Sequence, residues 1–444
     1  MAVRARGRNT RLEAVMIDPT PLRDRALRGV LLDCRRLLSE RGEANSVAIA
    51  HGLVERFGAL TDEQQISFFE MLSRDFSPDP KAVLASAMAY VAEPNADNLI
   101  RLTHVAEPPR QELLRRINRA PHGTATLVRM RRTLLERLAR KPELRALEAD
   151  LLHLLSSWFN PGFLQLRKVD WNSPAQLLEQ IIRHEAVHEI DGWDDLRRRL
   201  QPDRRLFGFF HPQLPDEPLI FVEVALLPEM PAAIAPLIDK TSAAGSPDRF
   251  KVAAFYSISN CQPGLKGVSL GNFLIKRVAE QLHRELPQIK TFCTLSPIPG
   301  LAAWLRQEVD FAALPGIKHA VAARATHSRE RLAKRCAGDW SQLADAQQLA
   351  ALDRNDRRAL EQLAAVYLVH QTPTPQGDPV ARFHLDNGAR LERLNPSGNT
   401  LRHALRESFG MMVNYLYDLN KVEASHEAFT HGEVMHSRAL AALL

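Results

Sequence analysis

A strand, a glycine-rich loop and a helix follow one another in residues 255–286, and this stretch constrains the fold more than any other. Aromatic and β-branched residues at its start are typical of a strand. The regular pattern is then broken by Pro263, Gly264, Gly267 and Gly271. From Asn272 onward one apolar face of a helix recurs every four residues, at Leu274, Val278 and Leu282. The sequence therefore predicts a glycine loop at the start of a helix.

Such a loop offers unblocked backbone N–H groups and the positive end of a helix dipole, which together suit a phosphate anion. Lys266 and Lys276 add positive charge nearby. No GKS or GKT closes the loop, and the glycine spacing is not that of the dinucleotide fingerprint. A plain turn and a phosphate site both remain open on spacing alone. The nearest physical template is the pyrophosphate loop of GNAT acetyltransferases, which holds coenzyme A between a strand and the next helix.

Five ordered blocks carry a resemblance to a known family. They are FYSISNCQPGLKGVSLGNFLIKRV with TLSPIPG (255–278 and 294–300), WNSPAQLLEQIIRHEAVHEIDGWDDLRRRL (171–200), PDEPLIFVEVAL (215–226), RFHLDNGARLERLN (382–395) and SFGMMVNYLYDL (408–419). With these blocks the chain resembles malonyl-CoA decarboxylase from about residue 171 to residue 419. Several ordered blocks are far more specific than any single motif.

The resemblance implies a GNAT-like catalytic domain of the α/β (α+β) class, here residues 161–444, that binds coenzyme A. It implies a lyase that converts malonyl-CoA to acetyl-CoA and CO2, with no cofactor and no metal, because coenzyme A is part of the substrate. It also implies a homo-oligomer, a dimer or a tetramer, acting in fatty acid metabolism.

The same resemblance assigns the site residues. Ser296, in the loop TLSPIPG, and His384, in RFHL, would form the working pair, with Tyr417 beside them. The coenzyme A loop would be Lys266, Gly267, Val268, Ser269, Leu270, Gly271 and Asn272. The family's loop can carry a glutamate where this chain has Ser269, so an auxiliary carboxylate is missing from that position. Taken alone, Ser-Pro is a turn signal and a strand histidine is structural.

Residues 1–160 form a series of helical patterns separated by prolines and capping residues, and they predict an all-helical domain of seven or eight helices. Thr61 with Gln64 has the spacing of a capping box, and Asn95 or Asp97 suits an N-cap. Nothing in this domain has catalytic spacing, so a scaffold or oligomerisation module is the preferred interpretation. Asn-Pro-Gly at 160–162 marks the boundary.

The sequence pattern beyond residue 162 predicts mixed strands and helices. Strands are expected at RRLFGFFHP, at PLIFVEVALLP, before the glycine loop and at 290–295, and helices return over 326–370. Residues 382–394 read as two strands around an Asn-Gly turn, which places His384 on a strand. Residues 408–418 are predicted to be helical.

His184-Glu185-Ala186-Val187-His188 matches the H-E-x-x-H pattern of zinc hydrolases. On a continuous helix both imidazoles would face one side, with Glu185 as a base. Asp191 and Gly192 end the helix soon after the motif, however, and no third ligand follows at a suitable spacing. We therefore expect no metal here, and a zinc hydrolase is the least favoured function.

Composition excludes few partners. The net charge of +6 would suit nucleic acid, but the arginines are interleaved with acidic residues and no nucleic-acid-binding motif is present, so none is expected. No apolar run approaches the ~20 residues of a membrane span. Four scattered cysteines indicate a reducing compartment. We expect a cytoplasmic protein of bacterial origin, and a mitochondrial one remains open.

Two other functions remain in view from the sequence. An acyltransferase would keep the GNAT-like loop and move an acyl group to an amine or thiol. A non-catalytic protein would bind malonyl-CoA tightly without turning it over. Formation of CO2 and acetyl-CoA without any acceptor separates the lyase from both.

Overall fold

The computed structural model describes residues 25–39, 45–270 and 274–444. They divide into two compact units. The first contains the described residues up to Trp158 together with Pro263–Val268, and the second contains Phe159–Gln262 and Ser269–Leu444. The glycine loop predicted from the sequence is thus divided between the two units, which no feature of the sequence indicated.

The first unit is helical, as predicted. Among residues 25–39 and 45–158 its α-helices are α1 (Arg25–Leu38), α2 (Ser46–Gly58), α3 (Asp62–Asp75), α4 (Pro80–Ala92), α5 (Ala96–Ala106), α6 (Pro109–Asn118), α7 (Gly123–Arg137) and α8 (Arg145–Trp158). The predicted capping box is present, since Thr61 Oγ1 accepts from the backbone of Gln64 and Gln64 Oε1 accepts from the backbone of Thr61. Asn95 caps α5.

The second unit is a mixed sheet flanked by helices. Its strands are β1 (Gln165–Val169), β2 (Arg204–Phe210), β3 (Ile220–Leu227), β4 (Val252–Asn260), β5 (Thr291–Thr294), β6 (Ser296–Pro297), β7 (Arg390–Asn395) and β8 (Met412–Leu416). The strand order is β1-β2-β3-β4-β5-β8-β6, with β7 on β8. All these pairs are antiparallel except β4 with β5. This is the mixed α/β class that the sequence predicts.

Helices lie between the strands. They are α9 (Ala175–His184), α10 (Gly192–Arg199), α11 (Ala235–Ile238), α12 (Leu274–Glu285), α13 (Leu301–Arg306), α14 (His319–Arg335), α15 (Ala346–Ala350), α16 (Arg354–Val366), α17 (Pro379–Asp386), α18 (Arg402–Ser408), α19 (Val422–Thr430) and α20 (Arg438–Ala441). Helices α14 to α16 confirm the helical prediction for 326–370. None of the helices in the described residues is long and apolar enough to cross a membrane.

The pairing between the parallel strands β4 and β5 ends next to the candidate site. The two strands are paired from Val252 with Thr291 to Phe255 with Thr294. Beyond that point β4 continues to Asn260, while β5 ends and the chain turns into Ser296. The register of β4 also shifts by one residue against β3 at Glu223/Val224. A bulge re-aims the side chains next to it.

Two predicted elements were wrong. Residues 382–386 belong to helix α17, so His384 lies on a helix and not on a strand. Asp378 caps that helix and Pro379 occupies its first position, while Gly388, with φ +80°, lies just after its end. Asp-Pro before a helix and glycine after it are helix signals. The sequence prediction gave more weight to Asn-Gly as a hairpin turn, and it was therefore wrong.

The predicted helix over 408–418 is instead the end of α18 followed by strand β8. Phe409 and Gly410 adopt positive φ and end the helix. Strand β8 then pairs with β5, β6 and β7, and nearly all of it is buried. A strand buried on both faces reads as a continuous apolar run, which periodicity does not distinguish from a helix.

Candidate functional site

Ser296 is presented by a short, stiff connection at the open end of the sheet. It begins β6 and pairs with Val413 of β8. Pro297 follows it and Pro299 comes two residues later, and each proline fixes its own φ and restricts the residue before it. Leu295 donates its backbone N–H to Phe255 O, which anchors the connection to β4. The hydroxyl is therefore held on a strand pair, although its side chain is nearly buried.

His384 reaches Ser296 from a distant part of the chain. It lies in the last turn of α17, on the buried face of that helix. Its Nε2 is 3.0 Å from Ser296 Oγ, and Ser296 Oγ also lies 2.9 Å from Thr294 Oγ1. The two residues are 88 positions apart in sequence. The structure thus brings together the two residues that the family resemblance paired.

Tyr417 completes the contacts of the imidazole. Its hydroxyl oxygen is 2.9 Å from His384 Nδ1, and its backbone N–H donates to Phe292 O on β5. Tyr415 stacks on the same imidazole, with ring centroids 4.6 Å apart. All three sequence-predicted catalytic side chains therefore lie in one buried group with Tyr415 and Thr294.

Two proton arrangements satisfy this group. In the first, Tyr417 donates to Nδ1, Nε2–H donates to Ser296 Oγ, and Ser296 donates to Thr294 Oγ1. In the second, Ser296 donates to Nε2 and Nδ1–H donates to the Tyr417 oxygen. The distances are the same in both, so the proton on the imidazole can change sides without movement of heavy atoms.

Burial makes the resting imidazole neutral. It lowers the pKa of His384 to about 3, because no water or counter-charge solvates the cation. Burial also raises the pKa of the Tyr417 hydroxyl well above its usual range. At neutral pH the group contains no net charge of its own, so an approaching anion would be the dominant charge in the site.

The predicted coenzyme A loop is described only in part. Gly271 and Asn272 lie outside the described residues, while Lys266, Gly267, Val268, Ser269 and Leu270 lie inside them. Gly267 has φ +82°, a backbone conformation that favours glycine. Arg131 donates to Gly264 O at 2.8 Å within the first unit. Lys276 forms an ion pair with Glu423 at 2.8 Å, so its charge is already partnered. The role of this loop stays a prediction.

The H-E-x-x-H segment does not lie on one continuous helix. Helix α9 ends at His184, so Glu185 to His188 lie beyond it and the two imidazoles are not one helical turn apart. The Glu185 carboxylate instead accepts hydrogen bonds from Ser257, Ser259 and two backbone N–H groups. In the part of the chain that the structure describes, no three His, Cys, Asp or Glu residues are grouped to hold a metal ion.

Sequence reasoning missed two residues that contact the Ser296–His384 pair, and it also missed one residue at the start of the helix that carries His384. Thr294 lies in the same quoted block as Ser296, two residues earlier, which on a strand is the same face. Tyr415 has the same relation to Tyr417. Asp378 lies at the start of α17, where Asp-Pro is a recognisable helix start. The residue types were visible, but their convergence depends on the sheet order.

The chain is similar to known proteins in both of its compact units. Two family models match the chain: the malonyl-CoA decarboxylase C-terminal domain over residues 162–444 and the malonyl-CoA decarboxylase N-terminal domain over residues 76–159. The mitochondrial malonyl-CoA decarboxylase of Anser anser anser is 35% identical over 345 residues, which are 74% of this chain and 68% of the goose protein. The mouse protein of that name is 35% identical over 343 residues, covering 72% and 68%.

Solved bacterial structures are more similar. A malonyl-CoA decarboxylase from Rhodopseudomonas palustris has a TM-score of 0.82 and 44% identity, covering 94% of this chain and 99% of the other. One from Agrobacterium vitis has a TM-score of 0.79 and 45% identity, covering 93% and 99%. The likeness therefore extends over both compact units.

Proposed function

The chain belongs to the malonyl-CoA decarboxylase family and is a carboxy-lyase that releases CO2 from malonyl-CoA, and we propose that Ser296 and His384 carry the reaction through an enolate. The observation that carries this proposal is the buried contact of 3.0 Å between Ser296 Oγ and His384 Nε2. The two residues are 88 positions apart in the sequence, and nothing in the packing of a sheet requires them to meet.

The chemistry needs two things from this group. When the C–C bond to the carboxylate breaks, its electron pair moves into the thioester carbonyl and leaves an enolate of acetyl-CoA. That oxygen gains about 3–4 kcal/mol from each well-placed donor. The α-carbon must then receive one proton, and a positioned acid contributes roughly 10²–10⁴ in rate. The balance is malonyl-CoA plus a proton giving acetyl-CoA plus CO2.

His384 supplies that proton. In the free protein its pKa is lowered to about 3, so the imidazole is neutral before the substrate arrives. The malonyl carboxylate is a negative charge, and an opposite charge within ~4–6 Å favours the protonated imidazole. Substrate binding therefore takes up a proton, and loss of CO2 removes the charge that holds it. The proton then passes from Nε2 to the α-carbon.

Ser296 orients the substrate. Its hydroxyl, held between Thr294 and His384, donates to the malonyl carboxylate and keeps the breaking bond perpendicular to the thioester plane. A covalent malonyl-serine is the alternative role. Mass spectrometry of the protein quenched during turnover separates the two, because a malonyl or acetyl adduct on Ser296 supports the covalent route.

The loop 266–272 is our proposed phosphate grip for the coenzyme A moiety. Its support is the positive φ of Gly267, a conformation that anion-binding loops use, and the positive charge of the adjacent Lys266. Lys266→Ala should raise KM for malonyl-CoA and leave kcat nearly unchanged. An unchanged KM would remove Lys266 from the grip.

The first unit supports the proposed homo-oligomer, a dimer or tetramer. Helices α4 and α5 expose Leu84 (62%), Met88 (64%) and Val91 (81%), and Leu99 and Ile100 are also exposed. Apolar side chains in one patch of this kind mark an interface, and a second copy of the chain is the proposed partner. Val91→Asp should lower the molar mass measured by light scattering, and an unchanged mass would exclude this patch.

Bacterial cytoplasm is the compartment that we propose. The support is the higher identity to bacterial structures, 44–45%, than to the mitochondrial animal proteins at 35%. Fractionation of the source cells tests it, and recovery in a membrane fraction would contradict it.

One assay tests the activity itself. The purified protein is incubated with malonyl-CoA and a chelator, with no acyl acceptor, and acetyl-CoA and CO2 are quantified. We expect both products in equal amounts, because the proposed site needs neither metal nor acceptor. Tight binding without products would favour a non-catalytic malonyl-CoA-binding protein, and dependence on an added amine or thiol would favour an acyltransferase.

A further inference from the structure

Asp378 places a fully buried carboxylate at the start of the helix that carries His384. Its Oδ1 accepts from the backbone N–H groups of Val380 and Ala381, both at 3.0 Å, which caps the first turn of α17. The side chain is completely excluded from solvent. His384 lies six residues further along the same helix, so the cap fixes the helix end from which the imidazole extends.

The other carboxylate oxygen serves a different segment. Asp378 Oδ2 accepts the backbone N–H of Gly300 at 3.0 Å. Gly300 ends the short loop that begins at Ser296, and Pro297 and Pro299 stiffen the chain between them. One side chain therefore joins the loop of Ser296 to the helix of His384.

A third group, the Tyr367 hydroxyl, also lies near this carboxylate. The Tyr367 hydroxyl lies 3.5 Å from Asp378 Oδ2, and Tyr367 begins a wide helical turn (Tyr367–Gln371) with π-type hydrogen bonding. Such turns are uncommon and occur frequently at functional sites. A Cβ at Gly300 would overlap the Tyr367 hydroxyl, so only glycine permits this approach.

A helix cap does not require this arrangement. Asp345 caps α15 with the same two-donor geometry, at 2.9 and 3.0 Å from the backbone of Gln347 and Gln348, while remaining exposed. Burying an anion is costly unless its oxygens are fully hydrogen-bonded. Burial raises the pKa of the Asp378 carboxyl, and the Ala381, Gly300 and Val380 N–H groups oppose that rise. A buried carboxyl group is thus present where a neutral Ser would cap the helix equally well.

We propose that Asp378 is a positioning residue, which keeps the loop of Ser296 and the helix of His384 in register so that Oγ and Nε2 stay within hydrogen-bond reach. This inference rests on the proposed function. Reactive groups misplaced by ~1 Å can lose about 10²-fold in rate, so a bridge between their two supports has a direct effect on turnover.

Two substitutions separate the bridge from the cap. Asp378→Asn keeps one oxygen for the cap but turns an amide donor toward the Gly300 N–H. Asp378→Ser keeps a good N-cap and is too short to reach Gly300. Asp345→Asn is the matched control, since it makes the same change at a cap without a bridge. We expect kcat to fall about 10- to 100-fold in both Asp378 variants, with KM within twofold and Asp345→Asn unchanged.

A double-mutant cycle identifies the route of the effect. Combined with His384→Asn, Asp378→Asn should cause no further loss, because it acts only through the dyad. Three results would overturn the inference. The first is wild-type kcat in Asp378→Ser, and the second is a loss in Asp378→Asn that multiplies with the loss in His384→Asn. The third is a loss of activity that only follows the fraction of folded protein. If Ser296→Ala and His384→Asn lose activity while both Asp378 variants keep it, only the positioning role fails.

Discussion

Two buried histidines in the second unit differ in their contacts, and we propose a catalytic role for only one of them, His384. Both His384 and His188 are nearly excluded from solvent, at 3% and 5% exposure. His384 has an oxygen at 2.9–3.0 Å from each ring nitrogen. Among the residues that the structure describes, neither ring nitrogen of His188 meets a partner at good hydrogen-bond geometry, although its ring stacks on Tyr256.

Their surroundings differ as well. His188 lies beside a charged cluster in which Arg199 joins Asp195 and Glu223, and the buried Glu185 carboxylate is fixed by two serines. His384 lies among neutral hydroxyl groups and aromatic rings. A motif match selected the first histidine and ordered family blocks selected the second. Hydrogen bonds at both ring nitrogens are what the role that we propose for His384 requires.

The largest expected effect is on turnover. His384→Asn should lower kcat by roughly 10²–10⁴, because it removes the proton donor, while malonyl-CoA still binds. The matched variant His188→Asn should keep kcat per folded molecule within a few fold. Steady-state kinetics with active-site titration makes the comparison. Equal losses in the two variants would place the proton donor elsewhere.

The serines provide a second contrast. Ser257→Ala removes a donor from the buried Glu185 carboxylate and should lower the free energy of unfolding by about 1–3 kcal/mol, with little change in kcat. Ser296→Ala should show the reverse, with stability nearly unchanged and turnover lost. Denaturant unfolding and product assays on the same preparations test both. A Ser257→Ala variant that is stable but inactive would contradict the division into a structural and a reactive region.

Two tyrosines beside the same imidazole give a finer test. Tyr417→Phe removes the partner of Nδ1 and should lower kcat about tenfold, the equivalent of one hydrogen bond of ~1.4 kcal/mol. In the described part of the chain the buried Tyr415 hydroxyl has no hydrogen-bond partner, so Tyr415→Phe should leave kcat unchanged and stability equal or higher. A larger loss from Tyr415→Phe than from Tyr417→Phe would show that the reaction depends on the Tyr415 hydroxyl and not on the Nδ1 hydrogen bond.

The smallest effect is on acid stability. Burial lowers the pKa of His384 to about 3, and burial with the Arg199 charge lowers that of His188 to about 4. In the unfolded chain both titrate near ~6.5. Below that pH the unfolded state binds more protons, so stability falls as pH falls, by up to about 1.4 kcal/mol per pH unit for each histidine.

His384→Asn should therefore make the loss of unfolding free energy between pH 6 and pH 4 shallower by about one proton's slope. Chemical denaturation at several pH values measures this difference. His188→Asn should show a similar change without the loss of activity. An unchanged slope in both variants would mean that the two imidazoles are protonated in the folded state.

The sequence predicted the parts of the fold whose local signals agree with their tertiary setting. The helices of the first unit have caps and apolar faces of their own, such as Thr61 with Gln64. Strands β2 to β5 are apolar runs bounded by turn residues. Local and global preferences point the same way in these elements, so reading the pattern was sufficient.

The errors fall where tertiary pairing decides. Residues 412–416 form strand β8 because they pair with β5, β6 and β7. The local sequence of residues 408–418 does not indicate this pairing. Helix α17 depends on Asp378, whose second oxygen is engaged by Gly300 from elsewhere in the chain. The proposed site residues were taken from the family resemblance, whereas Thr294, Tyr415 and Asp378 became apparent only from the spatial arrangement.

The most direct test compares Ser296→Ala, His384→Asn and the double variant in acetyl-CoA formation from malonyl-CoA. If the two residues act as one unit, the double variant loses no more activity than the worse of the two single variants. Losses that multiply would mean that the residues act independently, and full activity in either single variant would contradict the dyad.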